Sequence, residues 1–258
     1  AIVGGALNAQ ATNQLTLAGS AVDVVGAATL SSQSGFYNAS NVLAGGALTV
    51  TAPNVTNAAG ASLASTSTTS IAATNVTNAG LVNGKATNVT VAGALSNVGG
   101  SLMGLNSLTI NTGTLNNQNG LIFAGDPNTT NTPTTGDLSL TINGGGSAFA
   151  NASGQLLAQR NLTLGAVNAA LDPSQGTISQ GGQLSITAGS IDVTGTWNYG
   201  GQSVSIYGIN GITNTGTMSG TAPLTISTNG TFTNYGQVLG QDVTFNGTLN
   251  NVANAVMH

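Results

Sequence analysis

Charged residues and cysteine are scarce in this chain of 258 residues. Lys85 and Arg160 are its only strong bases, glutamate is absent, and charged residues make up 3% of the sequence, against roughly a quarter in ordinary globular domains. A nucleic-acid partner requires clustered Lys and Arg to neutralise phosphates, so we expect none here. The absence of cysteine excludes a disulfide framework and thiol chemistry.

Long apolar segments are missing as well. No apolar run approaches the ~20 residues that span a membrane, and the first residues lack the basic stretch and apolar core of a signal peptide. We therefore expect a mature or excised segment of a longer polypeptide. The chain is nevertheless 40% hydrophobic, which argues against disorder, because disordered tracts combine low hydrophobicity with high net charge.

Short apolar-polar-apolar triplets recur about every twenty residues. The alternation within each triplet is typical of a strand with one buried face, and no segment has helical spacing. From Ile186 to Phe245 the third positions step by 20, 20 and 19 residues. The predicted third positions are Val50, Ile71, Val91, Ile110, Ile142, Leu164, Ile186, Ile206, Ile226 and Phe245.

A second motif follows most triplets and consists of an apolar residue, any residue and an asparagine. Asn tolerates left-handed backbone geometry at corners, and stacked Asn amides hydrogen-bond along a column, so we expect an asparagine ladder. Val24 and Val193 are predicted to replace the asparagine in two turns. The predicted members of the ladder are Asn57, Asn78, Asn97, Asn117, Asn151, Asn214, Asn234 and Asn251.

A third apolar site follows a glycine, as in Gly120-Leu121-Ile122. Three strands and their corners in twenty residues predict one turn of a coil that buries its apolar face only by stacking. The sequence thus predicts a single all-β domain over residues 1–258, a right-handed parallel β-helix of roughly eleven to twelve turns. Breaks in the period predict inserted loops near residues 31–44, 124–137 and 168–176, and such loops often bind partners.

The turns resemble the haemagglutinin repeats of filamentous haemagglutinin and related two-partner-secretion exoproteins. The resemblance rests on stretches such as Gly100-Ser101-Leu102, Leu108-Thr109-Ile110 and Leu115-Asn116-Asn117. It extends from about Leu15 to Val252. It implies a secreted, extracellular or cell-surface stalk or adhesin of a Gram-negative bacterium, whose parent protein has an outer-membrane secretion partner. The Asn-Pro-Asn-Gly motifs of the family's secretion domain are absent, which implies an interior repeat region or a member without that domain.

Enzymes with a β-helical fold are the class to be weighed against this one. Sites of the pectate-lyase type resemble one another in clustering several acidic residues with a Lys or Arg. Here Lys85 and Arg160 lie nearly four turns apart, and no aspartate lies near Lys85. Asp172 and Asp192 lie about one turn apart, but Asp172 falls in a predicted bulge and Asp192 in a strand. We therefore expect no enzymatic activity and no cofactor.

Two kinds of binding site are candidates. Asp126 and Asp137 flank one predicted loop and could chelate calcium, which prefers oxygen ligands; turn formation is the competing interpretation. Exposed aromatic residues would instead form a recognition surface for host or biofilm glycans, whereas Trp197 is predicted to point into the core. The candidate recognition residues are Phe36, Tyr37, Tyr199 and Tyr207.

Neither end of the sequence carries the charges or prolines that normally block an open strand edge. We therefore expect each end to contact a further β-helical turn, either of the same polypeptide or of an identical chain stacked head to tail into a filament. The favoured prediction of function is a rigid, neutral spacer in attachment or biofilm formation. The alternatives are a filament subunit and a glycan- or receptor-recognition module that uses the inserted loops.

Overall fold

The structure is a computed structural model that describes residues 1–128 and 134–257. These residues form 27 β-strands and no helix, so none of them belongs to a helix that could cross a membrane. The strands are β1 (Ile2–Val3), β2 (Leu7–Ala11), β3 (Leu15–Ala18), β4 (Val22–Val24), β5 (Ala28–Ser32), β6 (Phe36–Ala39), β7 (Asn41–Ala44), β8 (Leu48–Asn57), β9 (Ser62–Ser65), β10 (Thr68–Asn78), β11 (Leu81–Ser96), β12 (Ser101–Asn116), β13 (Leu121–Ala124), β14 (Asp137–Ile142), β15 (Phe149–Ala150), β16 (Gln155–Ala158), β17 (Leu162–Leu171), β18 (Thr177–Gln180), β19 (Gln183–Val193), β20 (Thr196–Tyr199), β21 (Ser203–Gly208), β22 (Gly211–Asn214), β23 (Thr217–Gly220), β24 (Leu224–Asn234), β25 (Gln237–Gly240), β26 (Val243–Asn251) and β27 (Val256–Met257).

The strands stack in parallel as a coil with three sides per turn. Side one contains the segments in register with Leu48–Val50, side two those in register with Val55–Asn57, and side three those in register with Ser62–Ser65. The predicted parallel β-helix with about twenty residues per turn is confirmed. It has about 13 turns rather than eleven to twelve, which corresponds to a length of roughly 60 Å at ~4.8 Å per turn.

The first predicted loop, over residues 31–44, is wrong. Phe36–Ala39 is a regular strand of side two, in which Phe36 pairs with Leu15 and with Val55. The segment from Leu15 to Leu17 therefore belongs to side two. The strand of side one in this turn is Ala28–Ser32, so the chain completes its turns here without a protrusion.

The other two breaks differ in size. The chain leaves the strands between Ala124 and Asp137, near the predicted insertion at 124–137; residues 129–133 of it lie outside the described part of the chain. The predicted insertion at 168–176 is largely wrong, because β17 continues to Leu171, which pairs with Ile191. A local shift of register between Ala166 and Ala170 and a short turn after Leu171 account for the irregular spacing.

Two triplets lie two residues from their predicted register. Ile71 pairs with Val89 rather than Val91, and Ile110 pairs with Leu140 rather than Ile142. All of these side chains point inward, because a shift of two residues leaves a strand's faces unchanged. The predicted inner face was therefore correct where the register was not.

One continuous apolar core fills the coil from Val24 to Val238. Trp197 lies in it, 2% exposed and in register with Met218, as predicted. Burial of each such aliphatic or aromatic side chain contributes ~1.5–3 kcal/mol, and it is realised only between stacked turns. Inward side chains of the outermost turns, such as Leu15 and Phe245, are only partly buried.

Candidate functional site

A column of asparagine side chains lies inside the corner that ends side two. In each pair, the Nδ2 of one asparagine donates to the Oδ1 of the asparagine in the next turn at 2.7 or 2.8 Å. Most of these amides also donate to a main-chain oxygen, as Asn57 does to Leu81 at 3.1 Å. The column consists of Asn38, Asn57, Asn78, Asn97, Asn117 and Asn151, and, after an interruption, Asn214, Asn234 and Asn251.

The structure thus brings together all eight asparagines of the predicted ladder and adds Asn38. The sequence signal for Asn38 was present, since Phe36-Tyr37-Asn38 is itself an apolar-x-Asn motif. The members from Asn38 to Asn234 are at most 1% exposed. Hydrogen bonds between such buried amides strengthen one another in a low-dielectric interior. Since the amide groups are engaged with one another and with the main chain, the column serves cohesion of the coil rather than ligand binding.

The column is interrupted between Asn151 and Asn214. Val193 occupies the asparagine position and pairs with Asn214, as the sequence predicted, while Asn151 donates instead to the main-chain oxygen of Gln175 at 2.9 Å. The corresponding prediction for Val24 is wrong, because Val24 pairs with Ala44 on side three. Val193 is fully buried, so its turn lacks the amide pair that connects the other turns at this corner.

The loop between β13 and β14 is fastened to the following turn at both of its described ends. The Arg160 guanidinium forms an ion pair with both carboxylate oxygens of Asp137 and donates Nη1 to the Thr134 oxygen at 3.0 Å. Gln159 accepts from the main-chain nitrogen of Asp126 at 2.8 Å and donates to the oxygen of the same residue. Arg160 also holds the pKa of the Asp137 carboxyl below its ordinary value.

Asp126 and Asp137, the candidate calcium ligands, are both engaged in protein contacts. Oδ1 of Asp126 accepts the main-chain nitrogen of Asn128 at 2.9 Å, which is the turn-forming role of aspartate. A calcium ion would have to displace Arg160 from Asp137. Within residues 1–128 and 134–257 no group of three or more His, Cys, Asp or Glu side chains is placed to hold a metal. The geometry therefore favours turn formation over calcium binding.

Two of the four candidate recognition aromatics are buried, and for these the prediction of exposure is wrong. Phe36 is 1% exposed and packs in the core. Tyr199 is 5% exposed, its ring centroid lies 5.6 Å from that of Trp197, and its hydroxyl donates to the Leu239 oxygen at 3.1 Å. Strand alternation could have revealed this, because residues two apart share a face and Trp197 points inward. Burial raises the pKa of the Tyr199 hydroxyl.

The other two aromatics lie partly exposed on different sides of the coil. Tyr37 is on side two, in register with Thr56, and Tyr207 is on side one, in register with Ser227. They cannot form one stacking platform. Tyr235, which is 57% exposed and directly follows Asn234, is a more accessible aromatic that was not among the candidates predicted from the sequence.

Asp172 and Asp192 lie one turn apart, as expected, but Asp172 is in register with Asp192 and not displaced by a bulge. Leu171 pairs with Ile191, so the two aspartates that follow them occupy neighbouring turns and line one shallow groove beside Phe149. Asp172 accepts a hydrogen bond from the main-chain nitrogen of Ser174 at 2.9 Å, which closes a local turn, and one from the hydroxyl of Thr194 in the next turn of the coil. In the described part of the chain the only ion pair is that of Arg160 with Asp137, so neither carboxylate has a cationic partner there.

No family model, no curated protein and no solved structure matches this chain. What the geometry establishes is a parallel β-solenoid repeat protein with a buried amide column, one loop clamped to the coil and a nearly uncharged surface.

Proposed function

We propose that the chain is a structural segment of a secreted filamentous-haemagglutinin-like exoprotein, which acts at the cell surface as a rigid, neutral spacer in attachment or biofilm formation. The observation that carries this proposal is the continuity of the parallel turns and their apolar core along the coil. We assign the chain no catalytic role. Because the turns resemble haemagglutinin repeats, the proposal includes an outer-membrane secretion partner for the parent protein.

Rigidity follows from how each turn is held. Each turn is connected to its immediate neighbours by strand pairing on three sides and by the inward apolar residues. In most turns the asparagine pair adds a further connection. Bending the rod would separate buried amides and apolar side chains on one side, which is costly in a close-packed interior. With 3% charged residues, the surface generates little electrostatic attraction for partners. These are the properties of a spacer.

An exchange of turns tests the spacer function. In bacteria that display a parent exoprotein containing the segment, residues 1–258 would be replaced by an unrelated neutral β-helix with the same number of turns, or shortened by whole turns. We expect attachment to survive the replacement and to decline with shortening. Loss of attachment on replacement, with surface display unchanged, would contradict the spacer and favour recognition by the segment itself.

Recognition through the loop between Ala124 and Asp137 is the second candidate. The observation that favours it is the clamp formed by Gln159 and Arg160, because binding loops are characteristically presented by a rigid scaffold. Host or biofilm glycans are the proposed ligands. The predicted companion loop around Phe36 no longer contributes, since that segment is a core strand.

A loop deletion separates the two candidates. Residues 126–136 would be replaced by a two-residue turn, and the purified wild-type and shortened chains compared on an array of neutral and acidic glycans. Binding that disappears in the shortened chain, with an unchanged circular dichroism spectrum, would support recognition. A wild-type chain that binds no glycan, or a shortened chain that binds equally well, would contradict it.

Further β-helical turns are the proposed neighbours of both ends, either of the same polypeptide or of identical chains. Partly exposed inward side chains such as Leu15 and Phe245 would become buried by such a turn. Electron microscopy of the purified chain distinguishes the two sources. Fibres with an axial repeat of ~60 Å would indicate stacked identical chains, whereas dispersed short rods at high concentration would contradict self-stacking.

A further inference from the structure

Side one presents a regular row of hydroxyl groups to solvent. In twelve consecutive turns the outward residue at the centre of the strand lies in one column, which we call column A, and ten of the twelve are Thr or Ser. All twelve side chains are exposed or half-exposed. Column A consists of Asn8, Thr29, Thr49, Ser70, Asn88, Thr109, Ser139, Thr163, Ser185, Ser205, Thr225 and Thr244.

A second row, column B, runs beside the first and contains the residues two positions later in each strand. It has no charged residue, and six of its twelve members are Thr or Ser. Neighbouring turns are ~4.8 Å apart and the two columns ~6.7 Å apart, so the hydroxyl groups form a two-dimensional grid. Column B consists of Gln10, Ser31, Thr51, Ala72, Thr90, Asn111, Thr141, Gly165, Thr187, Tyr207, Ser227 and Asn246.

The grid distinguishes side one from the other two sides. The central outward column of side two includes Asp172 and Asp192, and that of side three includes the apolar residues Leu43, Met103 and Phe123. Outward residues of a strand do not pack in the core, so the fold alone does not require Thr or Ser in nearly every turn of side one. The grid is therefore available to a partner that has the same regularity.

The composition of the grid narrows the chemistry of that ligand. Neither column contains a charge, which matches a neutral ligand and disfavours phosphates, acidic polysaccharides and minerals. Tyr207 is the only aromatic residue in either column, so the face lacks the rings on which sugars stack. The class of ligand that remains is flat, periodic and neutral, and it offers hydrogen-bond donors and acceptors at repeated positions. The surface of ice has this chemistry.

We propose that columns A and B of side one form an ice-binding face. Each hydroxyl both donates and accepts hydrogen bonds, and the threonine methyl groups between them hold ordered water against the face. Because the coil fixes the grid before contact, little conformational entropy is lost on binding. Many weak contacts on one rigid body then add up to a strong attachment. This activity goes beyond the spacer function and does not depend on it.

Growth of ice grains in a frozen sucrose solution tests the proposal with the purified 258-residue chain. We expect the wild-type chain to keep the grains small during annealing below the melting point. The double variant Thr109→Tyr/Thr163→Tyr places two bulky rings in the middle of column A. It should require a concentration roughly tenfold higher for the same effect, because it breaks a contact made of many repeated positions.

A matched control uses outward threonines at the central position of side two. The variant Thr77→Tyr/Thr213→Tyr adds the same two rings and should retain full activity. Circular dichroism and melting temperature establish that all three chains are folded alike. The proposal would be overturned if ice grains grew as fast in solutions of the folded wild-type chain as in solutions of an inert protein. Equal inhibition of grain growth by the two double variants would also overturn it. The same holds if a glycan binds side one while the chain leaves ice growth unaffected.

Discussion

The Nδ2 of Asn97 donates a hydrogen bond to the Oδ1 of Asn117 at 2.7 Å, and neither residue has exposed surface. The Oδ1 of Asn97 in turn accepts from Asn78 at 2.7 Å, and its Nδ2 also donates to the oxygen of Leu121 at 3.1 Å. One side chain thus connects three turns. Loss of this side chain leaves buried polar groups in the turns on both sides without a hydrogen-bond partner, in a place that water does not reach.

Replacement of Asn97 by Leu should lower the free energy of unfolding by about 2–3 kcal/mol. The apolar side chain has a similar size but leaves the Nδ2 of Asn78 and the Oδ1 of Asn117 without this partner, and a buried unpaired polar group costs ~1–3 kcal/mol. Urea denaturation followed by circular dichroism measures the change.

The control for this substitution is Asn54→Leu. Asn54 accepts a similar amide hydrogen bond from Asn75 at 3.2 Å, but on the exposed surface, where changes remain within about 0.5 kcal/mol. Equal losses for the two variants would show that burial of the column contributes nothing.

Gly120→Ala should destabilise the coil by about 3 kcal/mol or more, whereas Gly200→Ala should be nearly neutral. A Cβ at Gly120 would lie 2.0 Å from the main-chain oxygen of Asn97, and at Gly200 no atom lies within 4 Å. The corner at Gly120 therefore packs directly on the preceding turn. Thermal melting of both variants tests the difference, and a neutral Gly120→Ala variant would contradict this close stacking.

Arg160→Met should loosen the loop and remove a pH dependence. The folded-state pKa of Asp137 is lowered by Arg160, so its contribution to stability is present above the ordinary aspartate pKa of about 3.9. It is lost as the pH falls through the lower folded value. Both groups are substantially exposed, so the effect on the melting temperature is small.

Hydrogen exchange near Thr134 and Asp137 gives the more direct measurement. Exchange should be faster in Arg160→Met than in the wild-type chain at neutral pH, and the two should converge in acid. Lys85→Met, which removes the other strong base, should leave exchange at these residues unchanged. A difference between wild type and Arg160→Met that persists at low pH would contradict the ion-pair mechanism.

Tyr199 should ionise late in an alkaline titration followed by ultraviolet absorbance. Burial raises its pKa, because the charged phenolate would lose contact with water. The stability associated with the neutral hydroxyl is present below the ordinary pKa of about 10 and is lost as the pH rises through the higher folded value. The late part of the titration should vanish in Tyr199→Phe; its persistence there would show that another group is responsible.

The asparagine column and the inner faces of the strands were predictable because each is a repeated local signal. Asn57, Asn78 and Asn97 follow apolar residues at nearly constant spacing, and stacking identical amides is the way to satisfy them once they are buried. Asn38 obeyed the same rule. It was missed because the preceding Leu15–Leu17 segment resembles a triplet of side one, although it belongs to side two.

The sequence by itself determined that the chain forms strands with one apolar face, that it coils every twenty residues and that asparagines line one corner. The tertiary structure alone decided the register, as in the pairing of Ile71 with Val89 instead of Val91. The physical reason is that strand side chains alternate with a period of two. A shift by two residues keeps every apolar group inside, so only the packing of each turn on its neighbours selects among the alternatives. The structure also decided the burial of Phe36, by placing β6 as a strand between β3 and β8, whereas the burial of Tyr199 follows from its alternation with the inward Trp197.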